Sequence, residues 1–575
     1  MEKVELTDKD RNMLFWASFL ALMAAGIGFG IRVMNIGTWM GEFGIDGTSA
    51  GGIFGASLWP IAVGMILFSL IVDKIGYKTS MLLAAAFQLI STIWTFQSTT
   101  QSGLIYSFIL AGFAHGIIES CINPLCATMY KKQKSKMLNI LHASWPAGIV
   151  IGASTCLLFG GNDGFDYRQI FLVLIIPVAL YGIIFLTAKH FPKDERVESG
   201  ISYREMLQEF GGLSIFLATT FLFYELGGKF ALFGEGAMFS ADNQLYVSLI
   251  VGAIAGLVSG FVLKSAGKPL FFILCLIMIP LATAEIATDG WIVKLMQPVL
   301  ANDYDINAGW AIVLSSLIMM TLRFFAGVPL KIMSPPALLT VSAVFSIAGL
   351  FLLSSVGGIM IFVAFILYGI GQTFYWPTVL GFTSEQFPKG GAMTLNTVSA
   401  MGLLTVGIFG VPFLGAVGDS YNADVAKAQA IELFEKSEVK DGKTTFIYSQ
   451  KDKSFFGIKY DSVKADNLTI DESLLTDLGK KLYAPARLSE NPTDEEKEAS
   501  IAAVKAFNST EGVRTAEGEE LVTKIQNNGR NVLKVAAILP AILAVAFGLI
   551  WLYFRSRGGY KPVTLHHEEP EGTVL

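Results

Sequence analysis

Residues Leu104 to Met129, LIYSFILAGFAHGIIESCINPLCATM, read as one membrane-crossing helix with a carboxylate inside it. About 20 apolar residues rising roughly 1.5 Å each cross a hydrocarbon core of about 30 Å. His115, Glu119 and Asn123 interrupt the apolar run at every fourth position, so all three share one helical face. A carboxylate at bilayer depth is costly unless it faces protein, a partner or water. Glu119 therefore marks a functional site, and the polar stripe points to an interior path or cavity.

The same layout occurs twice. Gly116-Ile-Ile-Glu-Ser-Cys-Ile-Asn-Pro124 leads through a polar loop to Asn139, Gly148 and Gly152. Gly369-Ile-Gly-Gln-Thr-Phe-Tyr-Trp-Pro377 keeps the Gly-to-Pro spacing and leads to Asn396, Gly407 and Gly410. Two repeated helical halves are the architecture of secondary transporters.

Composition agrees with a polytopic membrane protein. Of 575 residues, 53% are hydrophobic and 15% charged, with a mean hydropathy of +0.55, outside the range of a soluble globular chain. The net charge of −5 arises in one late hydrophilic segment and implies no nucleic-acid surface. Cys121, Cys126, Cys156 and Cys275 all lie in apolar stretches without metal or disulfide spacing and read as small packing residues. No metal and no cofactor is expected.

Apolar runs place helices at Met13 to Ile36, Ala50 to Val72, Thr79 to Phe96, Leu104 to Met129, Leu138 to Phe159 and Ile170 to Lys189. After a charged connection come Leu213 to Phe233, Leu245 to Leu263, Leu270 to Trp291 and Ala308 to Val328. The last are Ala337 to Ser354, Ile359 to Thr383, Ala392 to Val417 and Val532 to Phe554, fourteen spans in all. Met13 to Ile36 is too long for a signal-peptide core and counts as the first of them. Lysines and arginines cluster in alternate short loops, at Lys74 and Lys78, Lys131 to Lys136, and Lys193 to Arg204, which predicts cytoplasmic termini. Residues 419–531 then lie outside the membrane, with helical windows at Ala423 to Lys436 and Asp494 to Phe507 and strands at Thr444 to Tyr448 and Phe455 to Tyr460.

With these residues in view, the chain resembles the major facilitator superfamily. The loop Asp73-Lys-Ile-Gly-Tyr-Lys78 carries that superfamily's local pattern, with Ser69 in place of the usual leading glycine. The resemblance implies a gating role at the cytoplasmic helix ends for Asp73, Gly76 and Lys78. Glu119-Ser-Cys-Ile-Asn-Pro124 resembles the fourth-helix pattern of the fucose permease and related sugar:proton symporters, where the Glu and Asn line the cavity. One departure stands out: those symporters place an acidic residue in the first helix, where this chain has Arg32 and Asn35. Leu270 to Trp291, ending in Glu285, Asp289 and Trp291, resembles the seventh helix, so the two extra helices are Leu213 to Phe233 and Leu245 to Leu263. Arg323 resembles the eighth-helix arginine.

The expected fold is an all-α polytopic membrane protein, two six-helix bundles with two extra central helices and a small extracytoplasmic α+β insert. Its parts are an N-terminal bundle (1–190), a linker with the extra helices (191–265), a C-terminal bundle (266–420 and 530–556), the insert (421–529) and a cytoplasmic tail (557–575). Glu119, His142 and Glu285 are candidate proton-coupling groups, since desolvation favours a protonated carboxyl and a nearby cation does the reverse. Pairing of Arg32 with Glu119 would make that carboxylate structural instead. Arg32, Asn123, Trp145, Gln372, Tyr375, Trp376 and Asn396 are candidate substrate-binding residues, an amide and an indole suiting a small polar ligand in an apolar pocket.

No phosphate-binding loop, nucleophile elbow or H-E-x-x-H occurs, so ATP-driven pumping and common membrane hydrolysis lack their chemistry. The chain reads as a monomeric carrier in a bacterial inner membrane, not an enzyme, moving a sugar or polyol on a proton or sodium gradient by symport. The alternatives are an organic-anion carrier using Arg32 and Arg323, and a transporter-like receptor that uses the insert.

Overall fold

Thr7 opens the first helix by accepting a hydrogen bond from Asp10 N at 3.1 Å, with Asp8 and Asp10 in the first turn where the positive end of the helix dipole favours them. The computed structural model describes residues 6–565 apart from positions 44, 46, 161–163, 193, 230–231, 234–236, 241–242 and 564 and several segments between 429 and 509. The N-terminal half comprises α1 (Asp8–Met34), α2 (Gly47–Gly55), α3 (Trp59–Gln97), α4 (Gln101–Met129), α5 (Lys134–His142), α6 (Ser144–Phe159) and α7 (Ile175–Thr187). Next come α8 (Tyr203–Lys229) and α9 (Gln244–Leu263). The C-terminal half holds α10 (Pro269–Ala282), α11 (Thr288–Tyr304), α12 (Gly309–Phe324), α13 (Pro335–Ser355), α14 (Met360–Gln372), α15 (Tyr375–Gln386), α16 (Gly391–Thr405) and α17 (Val411–Ala428). Helices α18 (Ala516–Gly529) and α19 (Ile538–Ser556) follow the insert.

Among the described residues, twelve helical stretches are long and apolar enough to cross a membrane, and α12 is a shorter apolar helix. One of the twelve, Gly47–Gln97, is 51 residues long and turns at Gly76, whose φ of +82° a side chain would disfavour. Nothing lies within 4 Å of a Cβ placed there, so conformation and not space calls for glycine.

Two symmetric seams join the halves. Helices α2 and α3 pack against α17 and α16, while α5 and α6 pack against α15 and α12. The first seam is tight because it is glycine on glycine: a Cβ on Gly55 would sit 2.1 Å from Gly407 O. Helices α8 and α9 form a pair at the periphery, and the outer face of α9 exposes Ile250, Leu257 and Phe261.

Several boundaries differ from the apolar windows. Helix α1 stops at Asn35 and a separate turn of helix, Ile36–Phe43, follows. The stretch α8 is broken at Gly211, whose φ of +66° is not helical, so its apolar part restarts beside the expected Leu213, and a short polar helix from Tyr203 precedes it, held by neighbours: Tyr203 OH donates to Leu70 O at 3.0 Å, and Gln208 Nε2 to Leu263 O at 2.9 Å. Helix α17 runs past Val417 to Ala428, absorbing the start of the window expected at Ala423 to Lys436, whose remainder lies outside the described residues. Most of Asp494 to Phe507 also lies outside them. In the insert, β1 (Val439–Lys440), β2 (Lys443–Thr444) and β5 (Leu488–Ser489) make a small antiparallel sheet, and β3 (Ser449–Phe455) pairs with β4 (Ile458–Val463) in register Lys453 to Tyr460.

Candidate functional site

Three prolines create the acceptors around which the centre is built. Proline has no N–H, so the carbonyl four residues earlier loses its helical donor. For Pro124 that carbonyl is Ser120 O, which accepts from Asn396 Nδ2 at 3.1 Å across the seam between the halves. For Pro146 it is His142 O, which accepts from Arg323 Nη1 at 2.9 Å, again across the halves. For Pro377 it is Thr373 O, which accepts from Arg323 Nε at 2.7 Å.

Arg323, 1% exposed, completes its set with an ion pair, Nη2 to Glu285 Oε1 at 2.9 Å. Glu285 sits in a π-helical segment, Thr283–Ala287, between α10 and α11, and its Oε2 has no hydrogen-bond partner among the described residues. A second π segment, Val406–Gly410, follows α16 and touches the first. One turn beyond Glu285, Asp289 Oδ1 accepts from Tyr368 OH at 2.6 Å and Gln372 Nε2 at 3.3 Å.

The N-terminal half supplies the opposing wall. Asn123 Nδ2 donates to Glu119 Oε2 at 2.5 Å, and Asn123 Oδ1 lies 2.9 Å from His142 Nε2, so Asn123 links the carboxylate to the imidazole. His115 Nε2 stands 3.5 Å from Glu119 Oε1, and the His115 ring stacks on Trp145 with centroids 5.3 Å apart. A cavity of about 30 Å³ lies between His115, Glu119, His142, Trp145, Glu285 and Arg323, with Trp376 also in its wall. That is room for one or two waters. The centre is closed down in this conformation.

The sequence candidates thus separate. Glu119, His142, Glu285, Trp145 and Trp376 meet at one cavity, with Asn123 holding two of them. Gln372 instead binds Asp289, and Tyr375 is fully buried outside the lining of that cavity, with its hydroxyl beside Ser346. Asn396 is an inter-half bracket, donating to Ser69 Oγ at 2.8 Å as well as to Ser120 O. Arg32 does not pair with Glu119; it lines a different cavity, next to Gln88 and His115. Arg32 and Arg323 therefore do not face one space: they stand in the walls of different cavities, and each nitrogen of the Arg323 fork already holds an acceptor, Glu285 or one of two carbonyls.

Both ends of the molecule carry further ties. At the end bearing the chain termini, Asp73 pairs with Arg196, whose guanidinium lies 4.9 Å over the Tyr203 ring. Lys78 Nζ donates to Ala188 O at 3.2 Å, and Ser135 Oγ donates to Glu385, which also accepts from Tyr560 OH at 2.7 Å. At the insert end, Thr48 donates to Asp419 Oδ2 through N and Oγ1 at 3.2 and 2.9 Å. Tyr460 of β4 reaches the same Thr48 hydroxyl at 2.8 Å. Burial, with the Asp419 carboxylate adding to it, pushes the Tyr460 phenol above its usual range, so it remains a neutral hydrogen-bonding hydroxyl. A larger cavity of about 210 Å³ opens at this end between Met40, Gly47, Trp291, Lys294, Asp419 and Asn422. The sequence does not single out Arg196, Glu385, Thr48 or Tyr460: the first three lie in or at the ends of helices and Tyr460 lies in strand β4, and each is ordinary until the fold supplies its partner. The one hint of a cation for Asp73 is the place of Arg196 among Lys193, Arg196 and Arg204, in a stretch that also holds Asp194, Glu195 and Glu198.

The model of the Major Facilitator Superfamily matches residues 15–287. No protein of curated function matches the chain by sequence. Among solved structures, a bacterial homologue of the human lysosomal transporter Spinster, inward-facing and occupied, is 12% identical, with 97% of this chain and all of that one covered at a TM-score of 0.58. The proton:xylose symporter XylE from E. coli, bound to 6-bromo-6-deoxy-D-glucose, is 13% identical, covering 73% and 91% of the two chains at 0.50. The human organic anion transporter MFSD10 is 12% identical, covering 71% and 93% at 0.50. Likeness at such identity establishes the fold, and the resemblance to the fucose permease in particular finds no counterpart among these structures. The chain is a multi-pass membrane protein with the fold of the Major Facilitator Superfamily, and it matches that family's model over residues 15–287.

Proposed function

We propose that the chain is a secondary transporter of this superfamily, moving a small polar solute by alternating access, with a sugar or polyol as solute and proton symport as drive. The observation that carries the reading is the meeting of Glu119 and Glu285, one from each half, at a single closed cavity bridged by Arg323. Groups that change charge in a low-dielectric interior are expensive to keep there and mark ion or proton paths. Glu119 takes a proton from outside and releases it inside, exchanging it with His142 once the halves move, while Asn123 only positions the two side chains and Arg323 holds Glu285 until the halves part. The same fold in a proton:xylose symporter fits this reading.

The fold is read as fourteen crossings. A helix of 51 residues would measure about 77 Å, more than twice the hydrocarbon core, so Gly47–Gln97 crosses twice and turns at Gly76. Helix α12 makes the fourteenth span. The termini are then cytoplasmic, the insert outside, and Asp73, Gly76 and Lys78, joined by Arg196, close the cytoplasmic end. Helices α8 and α9 are the extra pair.

In proteoliposomes with an imposed proton gradient, Glu119→Gln is expected to abolish concentrative sugar uptake while sparing solute exchange. Unchanged pH-dependent accumulation would remove Glu119 from the coupling scheme. A second reading, an organic-anion carrier, is favoured by Arg32, which is buried with no carboxylate beside it. Screening sugars against organic acids, with Arg32→Ala as control, separates the two.

A further inference from the structure

We infer that Arg32 heads a binding site for a small monovalent anion, set inside the N-terminal half and separate from the Glu119 cavity. A second cavity of about 30 Å³ lies between α1, α3, α4 and α7, and Arg32, Gln88, Ser91, Thr92 and His115 stand in its wall. Arg32 is 6% exposed, and among the described residues its guanidinium makes no ion pair and no hydrogen bond, with Nε sealed off from any acceptor. Its close neighbour is the face of Phe108, 5.3 Å from Cζ to the ring centroid. A buried cation left without a counter-charge destabilises the fold. No acidic residue lines this cavity, and Glu119 is turned toward Asn123 and His115.

The wall presents donors. Tyr181 OH donates to Gln88 Oε1 at 2.8 Å, which leaves the Gln88 amide nitrogen for the cavity. The Ser91 and Thr92 hydroxyls donate to Gln88 O at 2.9 and 2.8 Å, fixing the turn of α3 that carries the amide. Guanidinium, amide and imidazole together suit a chloride ion or a single carboxylate group, and the space excludes a whole sugar or a phosphate ester. Because the lining comes from one half alone, a bound anion travels with that half when the halves pivot. His115 belongs to both cavities, so the anion sits one side chain away from Glu119. The inference does not rest on which solute is carried.

The test is thermal unfolding of the purified full-length protein in potassium sulfate at constant ionic strength, titrated with chloride and, separately, acetate. The expected result is a saturable rise in Tm with at least one of them. Chloride alone marks a free co-ion, acetate alone marks docking of a solute carboxylate, and a response to both marks a site open to either. Arg32→Gln should raise Tm in sulfate, by removing the uncompensated charge, and abolish the response. Gln88→Leu should weaken the apparent affinity about tenfold, a loss of roughly 1.4 kcal/mol, and serves if the arginine variant does not fold. No saturable response of the unmodified protein to either anion would overturn the site, as would an unchanged response in Arg32→Gln.

Discussion

Arg323 does three things with one planar fork: it neutralises Glu285, caps Thr373 O within its own half and caps His142 O in the other. A lysine cannot do this, since an ammonium on a flexible stem lacks the fixed spread of donors. Arg323→Lys should therefore lower stability although charge is kept. Arg323→Gln strands the Glu285 carboxylate and should cost roughly 3–5 kcal/mol, the range for breaking a buried pair, whereas Arg323→Gln with Glu285→Gln should recover part of that loss. Thermal or denaturant unfolding of the full chain checks it; a double variant no more stable than Arg323→Gln would mean that the two side chains are not coupled. The prolines explain why this residue and Asn396 sit where they do. Pro124 and Pro377 stand out in the sequence as the ends of the repeated motif and Pro146 does not, but which side chain fills the carbonyls freed by Pro124 and Pro146 depends on residues 276 and 181 positions away.

At the scale of elements, the seam between α2 and the π segment after α16 is set by backbone contact. Gly55 and Gly52 lie on the same short helix and test this as a pair. A methyl on Gly55 meets Gly407 O at 2.1 Å, backbone that cannot swing aside, while a methyl on Gly52 meets nothing within 4 Å. Gly55→Ala should destabilise by about 1–3 kcal/mol, the usual cost of overpacking. Gly52→Ala should be neutral or gain about 0.5–1 kcal/mol from helix propensity. Equal effects in an unfolding series would show that the seam is looser than described. The two touching π segments, Thr283–Ala287 and Val406–Gly410, place Glu285 at the one stretch of its helix where the hydrogen-bond ladder widens. Such single-turn segments recur at functional sites. Nothing in the apolar pattern announced them, because a π turn leaves hydrophobicity unchanged.

On the scale of the whole molecule, ties exist at both ends and in the middle, and the centre holds no more than a water or two. Transport by pivoting requires these ties to break alternately, so each should affect rate more than binding. Asp73→Arg and Arg196→Asp, taken singly, place like charges together at the termini end and should slow uptake by about tenfold or more, equivalent to roughly 1.4 kcal/mol of barrier. The double exchange should restore most of the rate. Failure of rescue, with both proteins folded and inserted, would assign the two residues independent roles. The insert reaches across to the N-terminal half through Tyr460 and Thr48, so on the proposed mechanism its hairpin is one more tie that pivoting has to break.

Read along the chain alone, local chemistry was enough for the helical membrane class and for the carboxylates Glu119 and Glu285 inside it, while Gly76 was marked only by the resemblance of its loop to a family pattern. The first two rest on apolar length and period, both of which are short-range. Pairing was not short-range. Whether Glu119 met Arg32 or Asn123, whether Asn396 lined a cavity or bridged two halves, and whether Arg323 was free or fully engaged depended on which helices pack together. A buried charge is satisfied by whatever the fold brings within about 3 Å, and that neighbour is decided by tertiary packing across hundreds of residues.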